Sequence, residues 1–435
     1  VRSLVGRYHP FIESGARAPP RIYPGEIMSD EHAWKRTLYV LAFVQFVSAV
    51  GMSSIFTFLP LYVEELGSTT GLGIELMAGL VFSAQALAMM IAAPIWGALA
   101  DRHGRKMMVL RATWGGALVI LLMGFVTSAE QLVFLRAIQG LVTGVFSALT
   151  ALVAASVPRD RTGYALGLLQ VGLWGGVSAG PLFGGFIADT FSFRASFIAT
   201  AALLAAAGGL AWWGVHERFE PIPHAAGGRS FVAAWAHVFS VQAVRLTFLA
   251  RFLTTLARTI IEPFTPLFVQ QLMSGQGQTA TVTGVLLALS AAAGTVAAIY
   301  LGQLGDRLGH RRVLVVIAIA AGLLYMPLGL VTSVWQMAIF FTATGAAAGG
   351  ILPALSALLA THTDPGEEGA VYGLEAAIVA AGRAAAPMIG AGLALMLGLR
   401  SIYVTGGVVF LVMAFVVGRW LPTEAPAPRA SSRTA

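Results

Sequence analysis

Long apolar runs, separated by short polar stretches, fill most of the 435-residue chain. About twelve of them reach the ~20 residues that a helix needs to cross a bilayer. The first lies at 37–64 and the last two at 369–397 and 400–420. Between the sixth run (194–215) and the seventh (244–271) lies the one polar stretch of any length, which carries Pro221, Pro223, Gly227 and Gly228. The pattern predicts an all-α membrane protein with 12 transmembrane helices in two six-helix bundles, 34–215 and 244–420. Residues 216–243 are expected to link them. Residues 1–33 have scattered Arg, Pro and Gly and no apolar core region. They are expected to form a disordered tail, with a second tail at 421–435.

Composition sharpens the class. Hydrophobic residues make up 57% of the chain and charged residues 11%, against roughly 25% charged in soluble domains. So much apolar surface requires lipid as the solvent for most of the chain. The net charge of +7 would suit a nucleic-acid binder if the bases formed one patch. They lie instead in short loops between apolar runs, which fits membrane lipids and excludes nucleic acid as the expected partner. With both termini placed in the cytoplasm, most Lys and Arg fall in tails and inner loops, and only Arg194 and Arg400 in outer ones. The expected location is therefore the cytoplasmic (inner) cell membrane. The chain has no cysteine. It shows no phosphate-binding Gly-rich loop, no His/Glu metal spacing and no spacing that nominates a catalytic triad, so neither an enzyme, a metal nor a cofactor is expected.

The two halves repeat each other. Phe58-Leu59-Pro60-Leu61-Tyr62-Val63 matches Phe264-Thr265-Pro266-Leu267-Phe268-Val269, and Gly180-Pro181 matches Ala386-Pro387. The loop Gly97-x-x-x-Asp101-Arg102-x-Gly104-Arg105-Lys106 returns as Gly302-x-x-x-Asp306-Arg307-x-Gly309. One common offset of about 205 residues indicates a duplication. Such repeats place a substrate site between the halves near the bilayer midplane. Gly97 is expected to let helices 2 and 3 turn closely. Asp101, and Asp306 in the second copy, can accept from a helix N-terminus or pair with a base. Arg102, Arg105, Lys106 and Arg307 can clamp acids of the other half, bind lipid phosphates, or serve only as inner-side anchors.

Three stretches carry a family resemblance. The duplicated loop resembles motif A of the major facilitator superfamily. Leu132-x-x-x-Arg136-x-x-Gln139-Gly140-x-x-x-Gly144 resembles its motif B. Gly172, Gly180, Pro181, Gly184 and Gly185 resemble motif C, the signature of its antiporter branch. The likeness covers about residues 34–420 and is to the twelve-helix drug:proton antiporters. It implies the major facilitator fold, a monomer, and export of lipophilic small molecules by alternating access, driven by inward proton flow. Motif A would then act as a conformational gate, and Arg136 would influence proton transfer. The alternative for Arg136 is an arginine that snorkels from the helix end. Another substrate class on the same fold, such as a sugar, a metabolite or a lipid-linked glycan, stays open, as does a non-transporting receptor.

The chain departs from that pattern in one respect. Many such antiporters embed a carboxylate in the first helix, whereas here Gln45 is the main polar group and Glu64 and Glu65 come only at the outer end. The embedded carboxylates are Glu262 and Glu375. Arg251, Thr255, Arg258 and Glu262 recur at i, i+4, i+7 and i+11, which is one face of a continuous helix. Ionisable groups at this depth do not face lipid, so the face is expected to line the cavity. Arg258 and Glu262 are one turn apart and can pair, either as a structural ion pair or as a proton-exchange site. Glu375 is expected as a gate partner of Arg102 or Arg105, and is also a candidate for proton coupling. Gln45, Gln139, Gln170, Trp174 and Arg383 complete the expected cavity lining.

Overall fold

The computed structural model describes residues 24–217, 241–275, 277–363 and 368–422. Most of the expected linker, the N-terminal tail up to residue 23 and the C-terminal tail from residue 423 lie outside the described residues. The described chain is helical throughout. Among the described residues, eleven helices are long and apolar enough to cross a membrane. Spans 1 to 6 are Trp34–Thr57, Ile74–Ala100, Arg105–Met123, Ala129–Ser156, Thr162–Thr190 and Phe193–Gly214. Spans 8 to 12 are Thr279–Leu308, His310–Leu328, Val334–Thr361, Val371–Leu397 and Arg400–Trp420.

The seventh crossing differs from the one continuous helix that the spacing predicts. It is built from Gln242–Thr259 and Thr265–Leu272, with a short 3-10 turn, Glu262–Phe264, between them. Pro263 disfavours helical backbone at Glu262, and Pro266 sits where a new helix starts. Span 1 breaks at the equivalent place, with a 3-10 turn at Ile55–Thr57 before the helix Leu59–Leu66 and Pro60 at its start.

The repeat extends to local geometry. Span 4 starts at Ser128, which accepts a hydrogen bond from Gln131 N, while Gln131 Oε1 accepts from Thr127 N at 2.9 Å. Span 10 starts at Ser333 with the same exchange, through Gln336 and Thr332 N at 2.8 Å. Both are variants of the capping box, in which the glutamine reaches the amide just before the cap. The tight turns between spans 2 and 3 and between spans 8 and 9 use Gly104 (φ 93) and Gly309 (φ 92), which only glycine adopts without strain. Gly97 is not the turn residue. It lies inside the helix Ile74–His103 and nothing packs where its side chain would be.

The halves meet through span 5 on span 8 and span 2 on span 11. At the end opposite the Gly104 and Gly309 turns, one hydrophobic core runs through both halves. Toward the turn end this core continues only in the second half, through Val313, Leu358 and Val417. A separate cluster belongs to the first half, around Leu38, Leu149 and Ala211. Another belongs to the second half, around Phe248, Leu359 and Leu374. Ile91, Tyr164, Trp174, Val296, Tyr300 and Tyr372 are exposed on the four facing helices there. The halves are therefore closed against each other at one end and parted at the turn end.

Candidate functional site

The cavity that opens at the turn end has its charges in the second half. Arg251 and Glu375 form an ion pair between spans 7 and 11, with Nε 3.0 Å from Oε1 and both side chains largely shielded. The contact is close but poorly aligned, because neither Nε nor Nη1 of Arg251 makes a geometrically sound hydrogen bond. Glu375 thus pairs within its own half, not with Arg102 or Arg105. Thr255 Oγ1 turns inward and donates to the Arg251 carbonyl at 2.9 Å. Its methyl carbon packs at Gly382, which brings span 11 close.

Glu262 is accessible to solvent although protein surrounds it, so it faces the open cavity. The expected Arg258–Glu262 ion pair does not form. The 3-10 turn takes Glu262 off the face that carries Arg251 and Arg258. Arg383 and Arg258 act on it electrostatically without ion-pair contact. Sequence reasoning missed Tyr325 on span 9. Its phenol lies within electrostatic reach of both Arg258 and Glu262. A tyrosine in an apolar run carries no sequence signal that separates core from cavity wall.

Among the described residues the first half holds two arginines more than a turn inside its spans: Arg111 in span 3, stacked on the Trp96 ring with Nε and Nη1 buried and unpartnered, and Arg136 deeper in span 4. Arg136 is 2% exposed and does not snorkel. Its Nη1 donates to Gln139 Oε1 at 2.7 Å and its Nε to the Val81 carbonyl at 3.3 Å, over the Phe82 ring. Nη2 has no acceptor, and no carboxylate pairs with Arg136 among the described residues. Gln139 Nε2 touches Met52 Sδ at 3.8 Å. Gln45 and Ser48, at i−7 and i−4 from Met52 on the same face of span 1, are buried with Gln45 Oε1 and Ser48 Oγ unpartnered.

On span 5, Gly172, Gly176, Gly180 and Gly184 form one stripe against the backbone of span 1. A Cβ would meet the Ala42 carbonyl at 2.6 Å from Gly172 and the Phe46 carbonyl at 2.5 Å from Gly176. A second stripe runs through Gln170, Trp174, Ser178, Pro181 and Gly185. Its far end packs on span 8, where the Pro181 carbonyl meets Gly284 and Gly185 meets Ala280. Its near end, with Gln170 and Trp174 exposed, borders the open cleft.

The duplicated loops make contacts that the sequence does not announce. Glu217, after span 6, accepts from Arg105 N (2.9 Å) and Lys106 N (2.8 Å), capping the start of span 3. Lys106 Nζ donates to the carbonyls of Trp212 (2.8 Å) and Val215 (2.6 Å). Arg311, the equivalent residue, donates through Nη2 to the Gly418 carbonyl at 2.6 Å. Each base therefore closes the C-terminus of its own half's last helix. Asp306 pairs with His310 at 3.3 Å. The Asp101 side chain lies outside the described residues, and Arg102 and Arg307 are exposed.

The Major Facilitator Superfamily model matches residues 41–275 and again 247–435. The chain belongs to the major facilitator superfamily. It is 35% identical over 386 residues to the multidrug resistance protein MdtG of Dickeya zeae (strain Ech586), covering 88% of this chain and 93% of that protein. Among solved structures, the nucleoside transporter NupG superposes with a TM-score of 0.71 at 14% identity, over 89% of this chain and all of that one. A bacterial homologue of the human lysosomal transporter Spinster, inward-facing and unoccupied, superposes with a TM-score of 0.69 at 16% identity, over 91% and 99%. At these identities the two structures speak for the fold alone. In this facilitator the paired bundles are the architecture that the two structures share.

Proposed function

We propose that the protein is a proton-coupled secondary exporter of amphiphilic small molecules in the cytoplasmic membrane, working as a monomer by alternating access. The turn end faces the cytoplasm, as the distribution of bases favours, so the cavity is open inward. The observation that carries the reading is Glu262: a membrane-embedded carboxylate without an ion-pair partner among the described residues, reached from the cavity and flanked by Arg258 and Arg383. Such a group can hold a proton delivered from outside and release it inward while substrate leaves the other way. The 35% identity to a multidrug resistance protein supports export of varied compounds. The arginine excess around the cavity, with Arg251 Nη1 lacking an acceptor, favours substrates that carry an anionic group.

The test is uptake into inside-out proteoliposomes with an acidic interior, using a lipophilic cation such as ethidium and an amphiphilic carboxylate in parallel. Gradient-driven uptake of either, lost in Glu262→Gln, is the expected result. Uptake that survives the substitution moves the proton to another group. No gradient-driven uptake of any probe refutes the exporter and leaves a carrier of another substrate or a receptor. Glu375→Gln separates the second carboxylate: here it is expected to weaken substrate dependence through Arg251.

A further inference from the structure

The end that is closed holds an acid with no assigned role. Asp189 sits in the last turn of span 5 and reaches across the boundary between the halves. Its Oδ2 accepts from Thr281 N at 2.6 Å and its Oδ1 from Ala280 N at 3.3 Å. Both N–H groups belong to the first turn of the helix Thr279–Leu308, whose own preceding residue, Gln278, makes no side-chain cap. A helix start leaves such donors unsatisfied and carries partial positive charge, so a carboxylate from the other half is held there by charge and by two hydrogen bonds together. Pro181 and Gly185, on the same stripe of span 5, let the two backbones come close enough for it.

The duplication supplies an internal control. Pro181 aligns with Pro387, which sets Asp189 opposite Leu395 in span 11. Leu395 lies over Gly73, 3.4 Å from where its Cβ would be, and Gly73 is the uncapped start of span 2. The two contacts between the halves thus put a side chain on the same part of the partner helix. One side chain is an acid that caps it and the other is apolar.

We propose that Asp189 is the latch of the closed end: its carboxylate holds the start of span 8 in the state seen here and must withdraw before the cavity opens on that side. The latch acts between the halves whatever substrate is carried, so its test does not depend on the proposed function. The chain is free of cysteine, so spin labels can be placed without further changes at Glu65→Cys and Gln271→Cys, equivalent exposed positions of the two halves at the closed end. Asp189→Asn replaces a charged acceptor by a neutral one. It should lower the closed-to-open ratio about tenfold, seen as a longer label separation, while Asp189→Glu stays near the parent. An unchanged distance distribution in Asp189→Asn overturns the assignment.

Leu395→Asp provides a test that removes nothing. It should install a second latch and slow amide exchange about tenfold at the first turns of both span 2 and span 8, because both open together. Slowing confined to span 2 would be ordinary local capping and would also overturn the proposal.

Discussion

The two halves share a scaffold and differ in what they bury. Equivalent capping-box variants start spans 4 and 10, equivalent glycines turn spans 2 and 8, and Lys106 and Arg311 close equivalent helix ends. At membrane depth the likeness stops. The first half holds Arg111 and Arg136 among neutral partners, and the second holds Arg251, Arg258 and Arg383 with Glu262 and Glu375. Duplication preserves what the backbone demands of each copy. The cavity lining is free to diverge, so polar chemistry concentrates on one side.

The largest expected difference lies in helix packing. Gly180→Ala would drive a Cβ to 2.5 Å from the Val50 carbonyl. Backbone cannot retreat there without parting spans 1 and 5, so a loss of about 3 kcal/mol or more is expected. The equivalent residue of the second half is Ala386, already fully buried. Ala386→Gly should cost only about 1 kcal/mol, mostly through backbone freedom. Thermal unfolding in detergent compares the two. Similar losses would mean that spans 5 and 11 pack alike after all.

Charge removal comes next. Glu375→Gln strips Arg251 of its counter-charge in a shielded place and should destabilise by about 3 kcal/mol. Arg136→Met removes a guanidinium that no carboxylate balances, so stability should change by less than about 1 kcal/mol, in either direction. Transport by that variant should nevertheless fall. A large loss of stability in Arg136→Met would show that its bonds to Val81 and Gln139 outweigh its desolvation, and the halves would then be alike in this respect.

The smallest effect tests the shared scaffold. Lys106→Met and Arg311→Met each remove a base from a helix C-terminus, worth about 0.5–1 kcal/mol, and the two losses should match. A clear inequality, read from the same unfolding curves, would locate a role for one of the loops beyond capping. Glu217 makes the first loop the candidate, since it caps span 3 through the Arg105 and Lys106 amides.

Much of this was legible in the residues. The apolar runs, the halves, the duplicated Gly-x-x-x-Asp-Arg loop and the family follow from local composition and from a repeat offset. The pairing of the embedded charges was not legible. Arg258 and Glu262 stand one turn apart on paper, yet a 3-10 turn at Pro263 separates them, and Arg251 finds Glu375 from another helix. Gly97 looked like a turn residue because glycine permits turns, but the chain turns at Gly104.

Sequence by itself determined that the chain lives in a membrane, crosses it in two related sets of helices and carries buried charge. Hydropathy is a sum over neighbours in the chain, and a repeat is visible wherever residues are kept. Tertiary structure alone decided which charges meet, which glycines face a backbone, and that Asp189 reaches the start of span 8 some ninety residues away. Those outcomes depend on how each helix is rotated and where it breaks. A shift of a few tens of degrees about a helix axis moves a side chain from lipid to cavity without changing the hydropathy of the run.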